Sequence, residues 1–207
     1  MRAKIISWNI RGLNDKSKRS TIKALIQKWK PDILCLQETK TETCFVAIAR
    51  QILGSRWVEW TELKASGKRG EVIILWDKRQ WNCIDSLQGK YSISTMLEGV
   101  QIYLRLCFTG VYGPHSNWER IEFWEELAVV RGLWNDSWII GGDFNVCRFE
   151  NERFNCIRRS RVMKIFSNFI QDMGLVDLPL QGAFYTWARG ENSLQASRID
   201  RFLISSE

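Results

Sequence analysis

No apolar run in this 207-residue sequence approaches the roughly 18 residues that a membrane-spanning helix needs; the stretch "VIILW" at 72–76 is among the longest. Cys-x-x-Cys pairs are missing too. The six cysteines (Cys35, Cys44, Cys83, Cys107, Cys147 and Cys156) are scattered without a histidine partner, so free thiols in a reducing compartment are expected. No apolar segment of signal-peptide type precedes Trp8. Repeats, low-complexity tracts and Pro/Gly/Ser linkers are likewise absent, and one soluble, intracellular domain over residues 1–207 is the expectation.

Acids are scarce where bases are dense. Residues 1–30 carry nine Lys or Arg, among them Arg11, Lys16, Lys18 and Arg19, against Asp15 alone, and the whole chain has a net charge of +7. A second basic stretch, "RFNCIRRSRVMK", gathers Arg153, Arg158, Arg159, Arg161 and Lys164 without an acid. Such patches suit a polyanion, either a nucleic-acid backbone or an anionic surface, as readily as they suit a solvated face.

Apolar periodicity alternates in kind along the chain. "AKIISWN" reads as a strand, and "RSTIKALIQKWK" as a helix with Ile22, Leu25, Ile26 and Trp29 on one face, stopped by Pro31. "ILCLQ" is a second buried strand, and "TETCFVAIARQILG" a helix closed by Gly54. "WVEW", "EVIILW", "YSISTML" and "VQIYLRLCFTGVY" read as a meander of strands with turns at "ASGKRG" and "LQGK". The helix "WERIEFWEELAVVRGLW" follows, with Trp118, Ile121 and Trp124 placed on its apolar face. After the strand "SWIIGGDFN" comes the helix "SRVMKIFSNFIQDMG", striped by Val162, Ile165, Phe166, Phe169 and Ile170; "AFYTW" and "RIDRFLIS" read as the last strands. Of the eleven tryptophans, Trp29, Trp118 and Trp124 on helices and Trp8, Trp76 and Trp138 in strands read as core, and Trp187 as a residue facing a ligand.

Polar residues recur at one kind of place, the C-terminal tip of an apolar strand: Asn9, Glu38, Tyr112, and the pair Asp143 and Asn145, with Asp200 inside "SRIDRFL". Strand tips are rigid mounts, and carboxylates mixed with neutral amides are what a hard cation with oxygen ligands requires. Two glycines ahead of Asp143 permit a close backbone approach.

The ordered motifs "SWNIRGL", "LCLQETK", "GVYGPH", "IGGDFN", "FYTW" and "SRIDRFLIS" resemble the endonuclease/exonuclease/phosphatase superfamily, most closely the endonuclease domains of plant non-LTR (LINE-type) retrotransposons. The resemblance implies an α/β fold, a four-layer α/β sandwich of two mixed β-sheets flanked by helices, with the last strand expected to be absent. It implies Mg²⁺ (or Mn²⁺) held by Glu38 and Asn9, water activated by Asp143, and the scissile phosphate contacted by Asn145 and Tyr112. Asp200 would orient a catalytic histidine, and Arg11, His115, Thr186 and Trp187 would contact DNA. Three departures stand out. Arg11 replaces an acid frequent in relatives, Glu71 replaces a frequent glycine, and no Ser-Asp-His ending follows the "RIDRFLIS" strand. His115 is the only histidine. The expectation is a Mg²⁺-dependent DNA endonuclease of retrotransposon origin, monomeric, without the reverse transcriptase domain of full-length relatives, nuclear if functional, and weak or inactive as this chain. A vestigial DNA-binding domain and a phosphomonoesterase or sphingomyelinase-type enzyme are the alternatives.

Overall fold

Strand β2 (Ile33–Gln37) is buried on both faces: Ile33 and Cys35 point one way, Leu34 and Leu36 the other. A strand apolar on both sides must be covered twice, and the architecture follows from that requirement. The computed structural model describes residues 3–40, 45–64, 70–190 and 195–206. One sheet has the order β1-β2-β4-β3, with β1 Ile5–Asn9, β3 Val58–Leu63 and β4 Val72–Asp77. The other runs β5-β6-β7-β8-β12-β9, from β5 Trp81–Gln88, β6 Ser92–Gly99, β7 Arg105–Tyr112, β8 Ser137–Asp143, β9 Leu175–Asp177 and β12 Asp200–Ser205. A separate hairpin pairs β10 (Trp187–Arg189) with β11 (Gln195–Ser197). β1 pairs with β2, and β7 with β8, in parallel; the remaining ladders are antiparallel.

Three apolar clusters make four layers. Cys35, Ile74 and Trp76 from one sheet meet Trp81, Leu106 and Phe108 from the other. Outside the first sheet, Ile22 and Ile26 of α1 (Lys16–Trp29) and Ile48 and Ile52 of α2 (Phe45–Leu53) cover Leu34, Leu36 and Ile73. Outside the second, α3 (Glu119–Leu133) and α4 (Arg161–Asp172) pack Phe123, Trp124, Phe166 and Phe169 against Trp138, Ile140 and Phe144. This is the expected sandwich of two mixed sheets between helices.

Local signals set the ends. The Asp15 carboxylate accepts from Ser17 N at 2.7 Å and caps α1, while Lys30 turns into the left-handed region (φ 48°) before Pro31. Ser160 Oγ accepts from Met163 N at 3.3 Å to start α4.

Several expectations need correction. The inward face of α3 is Phe123, Trp124, Leu127 and Val130; Trp118 is 70 % exposed and Ile121 51 %, because Phe123 and Trp124 turn toward Phe144 and Phe166 and rotate the other two outward. Trp29 is exposed, its ring 6.1 Å from that of Trp8 at the sheet margin, and Met163 rather than Ile165 faces inward from α4. Strand β5 was not foreseen: residues 82–86 are exposed and its register shifts between Cys83 and Asp85, so no alternation marks it. Residues 100–103 form the β6–β7 turn instead of extending a strand, and the strand expected at "AFYTW" begins only at Trp187. The start of the "TETC" helix and most of the "ASGKRG" turn lie outside the described residues. Cys35, Cys83, Cys107, Cys147 and Cys156 are free.

Candidate active site

The strand register does most of the assembly. Tyr112, Asp143 and Asp200 pair across β7, β8 and β12, so three strand ends place them in one row. Asn9 and Glu38 arrive from the other sheet, where Asn9 is level with Gln37. The Asn9 amide joins the sheets by donating to Glu38 Oε1 at 3.0 Å and Asp143 Oδ2 at 3.3 Å. The Tyr112 hydroxyl donates to Glu38 Oε1 at 3.0 Å.

Backbone strain gathers here. Arg11, Glu38 and Asn145 all sit in the left-handed region (φ 48°, 52° and 52°), a conformation that costs a non-glycine residue roughly 1–2 kcal/mol. The fold enforces it: Glu38 N donates to Glu71 O at 3.0 Å and Glu38 O accepts from Gly12 N at 2.6 Å. Gly142 (φ 152°) answers for the double glycine, since a Cβ there would lie 2.1 Å from Val111 O; only glycine lets β8 approach β7 closely enough to align Asp143 with Tyr112. Asn145 is tied on three sides. Its backbone N–H donates to Asp143 Oδ1 at 2.9 Å, its amide donates to Gly113 O at 2.7 Å, and its carbonyl accepts from Arg120 at 2.8 Å.

These groups floor a cavity of about 870 Å³. Asn9, Glu38, Tyr112, Asp143 and Asn145 line it, with Arg11, His115 and Trp187 on its walls. Asp200 and Thr186 are not among the lining residues; the Thr186 hydroxyl instead accepts from the backbone N–H groups of Ile199 (3.1 Å) and Asp200 (3.0 Å), which makes it a support for β12. His115 is exposed, its ring edge-on to Tyr112. Lys40, Arg120 and Arg189 were not foreseen, and Arg153 was expected only as part of the basic stretch at 153–164. Lys40 Nζ lies 3.1 Å from Glu38 Oε2, and the three arginines line the cavity. "QETK" already held Lys40, whereas Arg120 and Arg189 carried no local signal, because their position depends on how distant segments meet.

Ionisation differs from group to group. Burial, then the charge of Asp200, pushes Asp143 up to about 7, against the pull of Asn145 N–H and the Asn9 amide. Asp200 is raised as well, chiefly by burial, with Thr186 and the charge of Arg11 offsetting part of it. Burial also acts on Glu38, but hydrogen bonds from Asn9, Lys40 and Tyr112 outweigh it and hold that carboxyl below the usual range. Tyr112 is raised by burial and by the Glu38 charge, so it remains a hydroxyl donor. The site thus offers a poised base, a fixed anion and neutral donors in one cavity.

Among the described residues no three His, Cys, Asp or Glu side chains converge as a ready metal cage. The donor set still fits a hard cation that keeps most of its water. Glu38 is ionised, Asn9 stands beside it, and Glu38 Oε2 already accepts one cationic group, the Lys40 ammonium.

Known proteins resemble this chain in sequence and in fold. An exodeoxyribonuclease of Bacillus subtilis (strain 168) is 27 % identical over 232 residues, covering 98 % of this chain and 88 % of that protein. The endonuclease domain of TRAS1, a telomere-specific non-LTR retrotransposon, superposes with a TM-score of 0.75 at 13 % identity over 99 % of this chain and 86 % of that one. The mannosyl-6-phosphatase Bt3783 of Bacteroides thetaiotaomicron VPI-5482 superposes with a TM-score of 0.68 at 15 % identity, covering 100 % and 86 %. Nucleases and a phosphatase therefore share this fold. The family model described as "Endonuclease/Exonuclease/phosphatase family" matches residues 6–207, which include the whole row of strand-tip residues from Asn9 to Asp200, and the chain belongs to that family.

Proposed function

We propose that this protein is a phosphodiester hydrolase that nicks DNA with Mg²⁺ or Mn²⁺, of retrotransposon origin and acting in the nucleus. The carrying observation is that Tyr112 and Asp143, with Asp200 in register behind them, stand opposite Glu38 and Asn9 at a cavity whose walls hold Arg11, Arg120, Arg153 and Arg189. Such walls suit a phosphate backbone. Asp143, near 7 and fixed by two hydrogen bonds, accepts the proton of the attacking water. Asn145, locked by Arg120 and Gly113, holds its amide at the phosphate, and the protonated Tyr112 keeps Glu38 in place. When bound at Glu38 and Asn9, the divalent cation supplies charge neutralisation at the phosphate oxygens. His115, the single histidine of the sequence, is exposed on the wall and Asp200 lies outside the lining, and turnover by this chain is expected to be slow.

Supercoiled-plasmid nicking tests the reading, with EDTA and Asp143→Ala as controls, beside a version extended by a Ser-Asp-His ending. Nicking that needs both the metal and Asp143, and rises in the extended protein, is the expected result. Silence from both versions would sink the nuclease reading in favour of a vestigial DNA-binding domain. Release of phosphate from phosphomonoesters without nicking would favour the phosphatase branch.

A further inference from the structure

Beside the catalytic cavity, and sharing Arg153 with it, lies a second cavity of about 560 Å³ lined by residues 153–158. Its loop is firmly mounted. Arg153 bridges to Ser197, Phe154 N donates to Ala196 O at 2.9 Å, and Arg198 N donates to Glu152 O at 2.8 Å just before it. Two apolar side chains on this loop are nevertheless left to solvent: Ile157 is 91 % exposed and Phe154 39 %. Around them stand Arg153, Arg158, Arg159, Arg161 and Lys164, with no acid between 153 and 171, and none of the five forms an ion pair among the described residues.

A solvated basic face accounts for the arginines but not for a phenylalanine and an isoleucine held out among them. A duplex flank offers this surface phosphates only, because its bases are stacked and paired. An unpaired strand offers phosphates to the arginines and a base face to the apolar pair. The cavity volume falls within the roughly 300–1,000 Å³ typical of small-ligand sites, which suits a nucleotide-sized occupant. We infer that the loop at 153–158 is a subsite for an unpaired nucleotide of single-stranded DNA running out of the catalytic cavity across Arg153. This rests on the DNA reading above and adds a preference within it: a junction of duplex and single strand is bound over plain duplex.

Fluorescence anisotropy in EDTA, which needs no turnover, tests it with four labelled probes. These are a blunt duplex, the same duplex with a short single-stranded 5′ or 3′ tail, and a tail of abasic nucleotides. One tail should tighten binding about tenfold over the blunt duplex, and the abasic tail should recover only the charge-driven part of that gain, since a stacked base contributes on this scale. Phe154→Ala should remove the advantage of the base-bearing tail over the abasic one. The pair Arg158→Ala and Arg159→Ala should lower the salt slope for the tailed probe by about 1.4, the value for two single-strand phosphate contacts. All three side chains are exposed, so the fold should tolerate the changes. The subsite is overturned if neither tail adds affinity, or if the abasic tail binds as well as the natural one. Failure to bind the blunt duplex at all would instead remove the DNA reading on which it rests.

Discussion

Strand β12 has acids served differently on its two faces. On the face toward the helices, Arg201 donates to Asp177 Oδ2 at 2.7 Å and to Glu152, while Arg198 reaches Asp177 Oδ1 at 3.0 Å and Glu152 Oε1 at 3.2 Å. Arg148 adds a third guanidinium, 3.4 Å from Asp177. Each of those two buried carboxylates is matched, and Glu152, despite burial, is held below its ordinary range chiefly by Arg201. On the other face, Asp200 stands in register with Asp143, and neither forms an ion pair among the described residues; Glu38 alone has one, with the exposed Lys40. The same side-chain chemistry thus appears once completed and once left open. Completed, it fixes β12; left open, it holds carboxyls against their charge, as the proposed cation and phosphate would require.

The largest test of that contrast is thermal. Glu152→Ala strands buried guanidinium groups and should cost about 3–5 kcal/mol, a loss of roughly 6–20 °C in Tm by calorimetry. Glu38→Ala should leave Tm within a few degrees while abolishing plasmid nicking. Equal losses of stability would break the comparison, because the open cluster would then be structural too.

A smaller effect should appear against pH, in EDTA. Asp143 titrates near 7 in the fold against an ordinary 3.8, so folding disfavours its charged form. Its contribution to stability is complete below about pH 4 and is lost as pH rises through about 7. Tm should therefore fall between pH 5 and pH 8, and Asp143→Asn should flatten that fall by several degrees, being the more stable protein at pH 8. Parallel profiles for the two proteins would mean that Asp143 is not held against its charge.

Much of this contrast was legible in the sequence on one face and hidden on the other. The open cluster announced itself because Asn9, Glu38, Tyr112, Asp143 and Asn145 each break an apolar strand at its tip, where polarity has no packing reason. The closed network gave no such signal: Arg198 and Arg201 flank Asp200 in "SRIDRFL", and their partners Glu152 and Asp177 lie far away along the chain. Arg201 is 3 % exposed, but only the fold shows that Glu152, forty-nine residues away, is its partner. Helices α1 and α4 were readable from their apolar stripes, whereas the face of α3 was not, because Trp118 and Ile121 group with Trp124 in the sequence and only the packing of Phe123 and Trp124 against Phe144 and Phe166 turns the first two outward. Thr186 looked like a ligand contact for the same reason, since its hydrogen bonds to Ile199 and Asp200 N–H are made across the sheet rather than along the chain.

The smallest expected effect concerns Lys40, where the two faces come nearest to resembling each other. Its ammonium lies 3.1 Å from Glu38 Oε2, but the side chain is 61 % exposed, so the pair contributes at most about 1 kcal/mol and Lys40→Met should shift Tm by only a few degrees. The more telling readout is cation binding. In the open cluster Lys40 occupies the oxygen that a divalent ion would use, and its removal frees that oxygen and takes away one positive charge. Mn²⁺ titration followed by electron paramagnetic resonance should therefore show binding tightened several-fold in Lys40→Met, with no substrate present to confuse the result. Weaker binding would mean that Lys40 belongs with the arginines of the other face, as a partner that completes Glu38 instead of a placeholder that yields to the metal.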